Sequence, residues 1–181
     1  MVIGVKQILD YDDYAAIPPD GRRYELREGD VHVSPAPSPR HQWSSKKLQR
    51  QLEDYFEVRG LGRVFNAPID VILAQHDIVQ PDLVVVTNPG QISARGIEGP
   101  PGLLVEVLSP STMTYDRATK SRRYAALGVP HLWFADPAAR RLECFRLDGG
   151  TWRLVLEGEG DQIVEHPDWP ALTIRLGDLW M

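Results

Sequence analysis

The period of hydrophobic positions changes several times along this chain, and the changes divide it into elements. Trp43, Leu48, Leu52, Tyr55 and Phe56 recur mostly at three- and four-residue spacings, with Lys46, Lys47, Arg50 and Gln51 between them. That pattern predicts an amphipathic helix beginning near Trp43, with Gly60 as its stop. Before it, Ser34–Pro39 reads as a rigid loop, and the flanks of Glu28-Gly29-Asp30 read as a hairpin. Residues 5–16 predict a short helix ended by Pro18-Pro19. Three short apolar runs follow: Arg63–Asn66, Ile69–Leu73 and Leu83–Thr87. The third is nearly all β-branched, as expected of a strand covered on both faces. Residues 88–102 are rich in Gly and Pro and predict a loop. Leu103–Leu108 predicts a central strand, Met113–Leu127 a second helix ended by Gly128 and Pro130, and His131–Ala135 a further strand. Arg140–Leu147 and Thr151–Leu156 alternate around Asp148-Gly149-Gly150, a hairpin signal, and the tail is strand-like near Leu172–Ile174. The order predicts an α/β core with a mixed sheet, as one domain over residues 1–181.

Composition narrows the class. The 181 residues carry ordinary apolar and charged fractions, 43% and 25%, so disorder is not expected. No apolar run approaches the roughly 20 residues that span a bilayer. The first residues carry acids and no small-residue cleavage site, so they do not read as a signal peptide. Cys144 is the only cysteine, which excludes an intrachain disulfide, a redox pair and a cysteine-based metal cluster and fits a cytoplasmic location. The net charge of −5 argues against a protein that coats nucleic acid by bulk electrostatics. It leaves room for a local basic face beside an acid cluster.

The candidate chemistry lies in two acids. Glu106 falls within the apolar run Leu103–Leu108, where an ionised carboxylate costs several kcal/mol (roughly) unless a cation, a metal ion or hydrogen bonds compensate it. Asp82, in Gln80-Pro81-Asp82, directly precedes the run Leu83–Thr87. If the two runs pair as neighbouring strands, both carboxylates point to one place on the sheet. Two clustered carboxylates ask for a counter-charge such as Mg²⁺, with a backbone carbonyl next to Glu106 as a further oxygen ligand. Lys120, on the following helix, is a candidate ammonium for the same place. The plainer alternatives are Asp82 as a turn former, Glu106 paired with Arg123, and Lys120 paired with Asp116 four residues earlier.

These residues carry a likeness. Pro81-Asp82 followed by Glu106-Val107-Leu108 resembles the PD-(D/E)XK nuclease superfamily. More closely, the chain resembles the Uma-two family of restriction-endonuclease-like proteins. Tyr24-Glu25-Leu26 with Gly29, Ser34-Pro35 with His41, Gln80-Pro81-Asp82-Leu83, Glu106 to Ser111, Asp116 with Lys120 and Tyr124, and Gly128 to Trp133 carry that likeness across most of the chain. It implies a restriction-endonuclease-like core, a mixed central sheet flanked by helices, with added N-terminal and C-terminal β-hairpins. It also implies a metal-dependent DNA endonuclease. Asp82 and Glu106 would hold Mg²⁺ or Mn²⁺, with the Val107 carbonyl as a further ligand, and Lys120 would act on the developing phosphate charge. The strand position that holds Lys in the superfamily is Leu108 here, and Lys120 stands in for it. Glu25, His41 and Gln80 match positions near the same site, or are an exposed hairpin acid and polar residues of local structure. Lys46, Lys47, Arg50, Arg117, Arg122 and Arg123 are candidates for phosphate contacts, or belong to solvated helix faces.

Other function classes carry less. A non-catalytic nucleic-acid-binding or assembly module on the same fold fits the missing strand lysine and the acidic balance. A serine hydrolase lacks the Gly-X-Ser-X-Gly turn, and a nucleotide-binding protein lacks a Gly-rich phosphate loop. The Trp133 strand and the Asp148-Gly149-Gly150 hairpin suggest surface for a homo-oligomer.

Overall fold

The structure, a computed structural model, describes residues 7–110 and 116–181. A short helix α1 (Tyr11–Ala15) is capped by Asp10, whose carboxylate accepts the N–H groups of Asp12 and Asp13. Strands β1 (Arg23–Arg27) and β2 (Asp30–Ser34) form the expected hairpin, with Glu28 and Gly29 in the left-handed region at the turn. Helix α2 spans Pro39–Phe56, starting four residues before Trp43. The earlier start has a local cause. Ser38 closes the Pro-rich loop as N-cap, accepting the His41 N–H at 3.3 Å, and Pro39 supplies a preset first turn. One face of α2 buries Ser44, Leu48, Leu52, Tyr55 and Phe56.

The remaining strands are β3 (Arg63–Asn66), β4 (Val71–Ala74), β5 (Asp77–Val79), β6 (Leu83–Val86), β7 (Ile92–Ser93), β8 (Gly96–Glu98), β9 (Leu103–Val107), β10 (His131–Asp136), β11 (Arg141–Asp148), β12 (Thr151–Glu159), β13 (Ile163–Glu165) and β14 (Thr173–Arg175). Between β9 and β10 the chain forms one π-helical turn, Asp116–Lys120, continuing into α3 (Ser121–Ala126). The expected start of that helix at Met113 lies outside the described residues. The segment 88–102 is not all loop as expected: it holds the small hairpin β7–β8. Strands of two and three residues in a Gly/Pro-rich stretch are too short to show alternation.

Two six-stranded mixed sheets result. The first has the order β2-β1-β5-β4-β8-β7 and the second β12-β11-β10-β9-β6-β3. Alternation sorts the second sheet's side chains. Leu83, Val85, Leu103, Val105, Trp133 and Cys144 pack with α2 and the C-terminal residues Leu172, Ile174 and Leu176. Val84, Val86, Leu104, Leu132 and Phe134 face the other way, against Val71, Val79 and Ile97 of the first sheet and Tyr124 of α3. The second sheet is therefore covered on both faces, which explains its continuous apolar strands. β11 and β12 meet around Gly149-Gly150 as the hairpin signal required. The Trp133 strand offers no surface for self-association, because β10 lies between β9 and β11 and Trp133 is fully buried. The edge of this end of the sheet is β12, where Leu154 is exposed.

Candidate functional site

Asp82 and Glu106 are set side by side by strand register. β6 and β9 pair antiparallel as Leu83↔Val105, Val84↔Leu104 and Val85↔Leu103. One further step along that register sets Asp82 opposite Glu106, on the same face of the sheet. The Asp82 Oδ2 accepts the Val107 N–H at 2.8 Å, which ties the start of β6 to the end of β9. Its Oδ1 takes no hydrogen bond among the described residues.

Glu106 is almost wholly buried, as its place in an apolar strand requires. Its compensation comes from the helix that follows β9. Lys120 Nζ lies 3.0 Å and 3.1 Å from its two carboxylate oxygens, and the Tyr124 hydroxyl donates to Oε1 at 2.7 Å. Lys120 and Tyr124 are four residues apart, so one side of the helix presents both. Arg123, the other candidate partner, instead grips the buried Asp77 through Nε (2.8 Å) and Nη2 and reaches Glu28 through Nη1 at 3.4 Å. Leu108, at the strand position where the superfamily has lysine, is buried in the apolar layer between the sheets.

A third acid joins from the first sheet. In β1 the alternation Arg23, Glu25, Arg27 puts all three side chains on one face. Glu25 is buried, accepts the Gln80 N–H at 2.8 Å, pairs with Arg27 and stands 3.8 Å from Lys120 Nζ. Burial works to raise its pKa, but Lys120, Arg27 and the Gln80 amide outweigh that and hold it below the usual carboxylate range. His41, in the first turn of α2, brings Nε2 to 3.1 Å from Asp82 Oδ2. Burial alone would lower its pKa; the hydrogen bond to Asp82 and the charges of Asp82 and Glu106 hold it above the ordinary value. The Gln80 side chain turns to Asp70, Tyr14 and Arg23, so its main chain, not its amide group, meets the acid cluster.

Asp82, Glu106, Lys120, His41, Gln80 and the Val107 main chain share the wall of one cleft of about 490 Å³, together with Arg23, Arg27, His32 and Ser109. The cleft lies between the two sheets, bounded by β1–β2 on one side and the acid ends of β6 and β9 on the other. Sequence reasoning missed Arg27 and gave Tyr124 no role. The period-2 alternation of β1 carried a signal for Arg27; nothing local pointed Tyr124 at Glu106.

The basic candidates divide. Lys46 and Arg50 are exposed on α2, and Lys46 lines a shallower pocket that also touches His41 and Asp82. Lys47 lies over the half-exposed Trp43 ring, 4.7 Å from its centroid. Arg122 is exposed on α3. Arg117 pairs with Glu143 and lies over Phe134, and Arg123 is held by Asp77. These two are structural cations with little freedom to meet a phosphate.

Two mixed sheets with α2 packed on one face thus carry paired acids at the adjoining ends of two neighbouring strands. The chain belongs to the Uma2 family, described as "putative restriction endonuclease", whose model matches residues 11–177. A crystal structure described as a putative nuclease belonging to DUF820, from Anabaena variabilis, superposes with a TM-score of 0.75. It is 18% identical in sequence, and the match covers 94% of this chain and 97% of that one. No curated protein matches. Among the described residues, no helix is long and apolar enough to cross a membrane.

Proposed function

We propose that the protein is a divalent-metal-dependent endonuclease that hydrolyses phosphodiester bonds of DNA at the cleft between the sheets. The observation that carries this reading is the convergence of Asp82, Glu106 and Lys120, with Lys120 Nζ within 3.1 Å of both Glu106 oxygens. The donor set fits a hard cation. Two carboxylates, Asp82 and Glu106, line the cleft, and one Asp82 oxygen takes no hydrogen bond among the described residues. Mg²⁺ or Mn²⁺ would be held by Asp82, Glu106 and the Val107 carbonyl, and would supply an acidified water and charge neutralisation at phosphate.

The chain's own residues do the rest. Lys120 offsets the carboxylate of Glu106 within the apolar layer and carries the compact positive charge that would meet the developing phosphorane charge. Tyr124 fixes the rotamer of Glu106 from its buried side. Glu25 and Arg27 fix Lys120 from the first sheet, so the ammonium is positioned before substrate arrives. His41 orients Asp82. Lys46, Lys47, Arg50 and Arg122 supply phosphate contacts along the approach to the cleft.

The test is cleavage of supercoiled and linear DNA by purified protein with Mg²⁺, Mn²⁺ or chelator. Cutting that needs the metal and disappears in Asp82→Ala supports the reading. The buried Leu108 favours one other reading, a nucleic-acid-binding module without turnover. Metal-independent DNA binding with no cleavage of any substrate would favour it.

A further inference from the structure

On the opposite face of the second sheet from the acid cleft lies another group of polar side chains. His131 opens β10, and His166 and Asp168 follow β13 in the C-terminal segment. His166 is 1% exposed. Three atoms there are buried without a hydrogen-bond partner: His131 Nδ1, His166 Nε2 and Asp168 Oδ2. One ligand atom of each residue lies within 4.8 Å of those of the other two, and His131 Nδ1 stands 3.9 Å from Asp168 Oδ2. Buried polar atoms without partners are costly, and three converging on one point call for a common occupant.

We propose that His131, His166 and Asp168 form a second, transition-metal site, of the kind Zn²⁺ fills, which pins the C-terminal segment to β10. Two imidazoles and a carboxylate suit zinc and not magnesium, which prefers oxygen donors. The surroundings support the ligands as outer groups do in such sites. Arg146 donates to the other Asp168 oxygen, Oδ1, at 2.5 Å, which leaves Oδ2 for the metal. Trp169 lies against both imidazoles, with ring centroids 4.4 Å and 4.5 Å apart, and Trp133 stacks on His166. These rings hold the two imidazoles in place. Zinc bonds of about 2.0–2.1 Å place tetrahedral ligands roughly 3.4 Å apart, so the three side chains close inward by less than an ångström each. Closure also requires the His166 ring to release the Asp168 N–H that its Nδ1 accepts, at a long 3.2 Å. The competing occupant is a single water that takes the His166 proton and donates to the other two atoms.

The experiment uses ZnCl₂ as the probe, on the wild-type chain in excess Mg²⁺ and on Asp82→Ala, whose acid cleft lacks one carboxylate. After dialysis, metal analysis is expected to find one zinc per chain in both. The melting temperature is expected to rise by about 5–10 °C at a hundredfold excess over Kd, and Mg²⁺ is expected not to reproduce the rise. His131→Gln, a change at the more exposed of the two histidines, is expected to lose the zinc and the shift while still melting cooperatively. His166→Gln is expected to do the same. Co²⁺ is expected to give weak visible bands without a thiolate charge-transfer band, since Cys144 is buried elsewhere in the sheet. No retained zinc with unchanged melts would overturn the site in favour of the water. Zinc held equally by both histidine variants would overturn it too.

Discussion

At the scale of single residues, the cleft is an ion cluster whose members depend on one another. Lys120 is 8% exposed and serves two buried carboxylates, Glu106 and Glu25. Removing it leaves two buried anions short of a cation, a change that typically costs about 3–5 kcal/mol. Lys120→Ala is therefore expected to lower the metal-free melting temperature by about 6–20 °C, and added Mg²⁺ to restore part of the loss. Thermal melts with chelator and with Mg²⁺ measure both. The same variant is expected to cut DNA about a hundredfold more slowly while still binding metal, because it removes a preorganised charge and not a ligand. An unchanged cleavage rate would remove Lys120 from the chemistry. Glu106→Gln is milder in the metal-free protein, since the Tyr124 hydroxyl keeps an oxygen to donate to and Lys120 keeps Glu25. It is expected to lose metal-induced stabilisation while its melting temperature in chelator changes little.

At the scale of elements, the site rests on short pieces whose ends are fixed by local chemistry. His41 is held beside Asp82 only while the first turn of α2 is formed, and that turn depends on the Ser38 cap. Ser38→Ala is expected to cost about 1 kcal/mol in urea unfolding and to reduce metal affinity by loosening His41. Gly96→Ala is expected to cost more, about 2 kcal/mol or above. Gly96 has φ +136°, and a Cβ there would stand 2.3 Å from the Asp70 carbonyl. Asp70 also orients Gln80, so the damage reaches the acid cluster through the Gln80 main chain. Legibility follows the same lines. The β11–β12 hairpin was plain in Asp148-Gly149-Gly150, because a primed turn has few sequence solutions. The β6–β9 pairing, a condition in the sequence, follows from two runs apolar enough to be buried on both faces. β5, three residues opening on the charged Asp77, was not. Its buried acid is met by Arg123, from 46 residues away, and by the Glu28 N–H.

At the scale of the whole molecule, a chain of net charge −5 would meet the proposed DNA substrate through a local basic face. Lys46 and Arg50 are exposed cations on α2, the helix that carries His41, and Lys46 lines a pocket that also touches Asp82. Lys46→Ala with Arg50→Ala is expected to weaken DNA binding evenly across sequences and to flatten its salt dependence by about 0.9 per lost phosphate contact. Fluorescence anisotropy from low to moderate salt measures this, and an unchanged slope would move the DNA path off α2. Pairings at this scale were the least legible. Tyr124 meets Glu106, and His131 meets His166, across separations that no local period encodes. Lys120 came into view as an ammonium on the helix after the strand, and the family likeness then gave it the role of the strand lysine; nothing in the strand itself says that its counter-ion sits there.

The Lys47–Trp43 contact gives the molecule an optical handle. Trp43 is the half-exposed indole on α2, with an ammonium held over its face, whereas Trp133 is sealed within the sheet. A phosphate chain that draws Lys47 off the ring would change the polarity and the local field at Trp43 and leave Trp133 untouched. The emission of one native chromophore would then follow arrival of a nucleic acid at α2, in unlabelled protein and before any bond is cut.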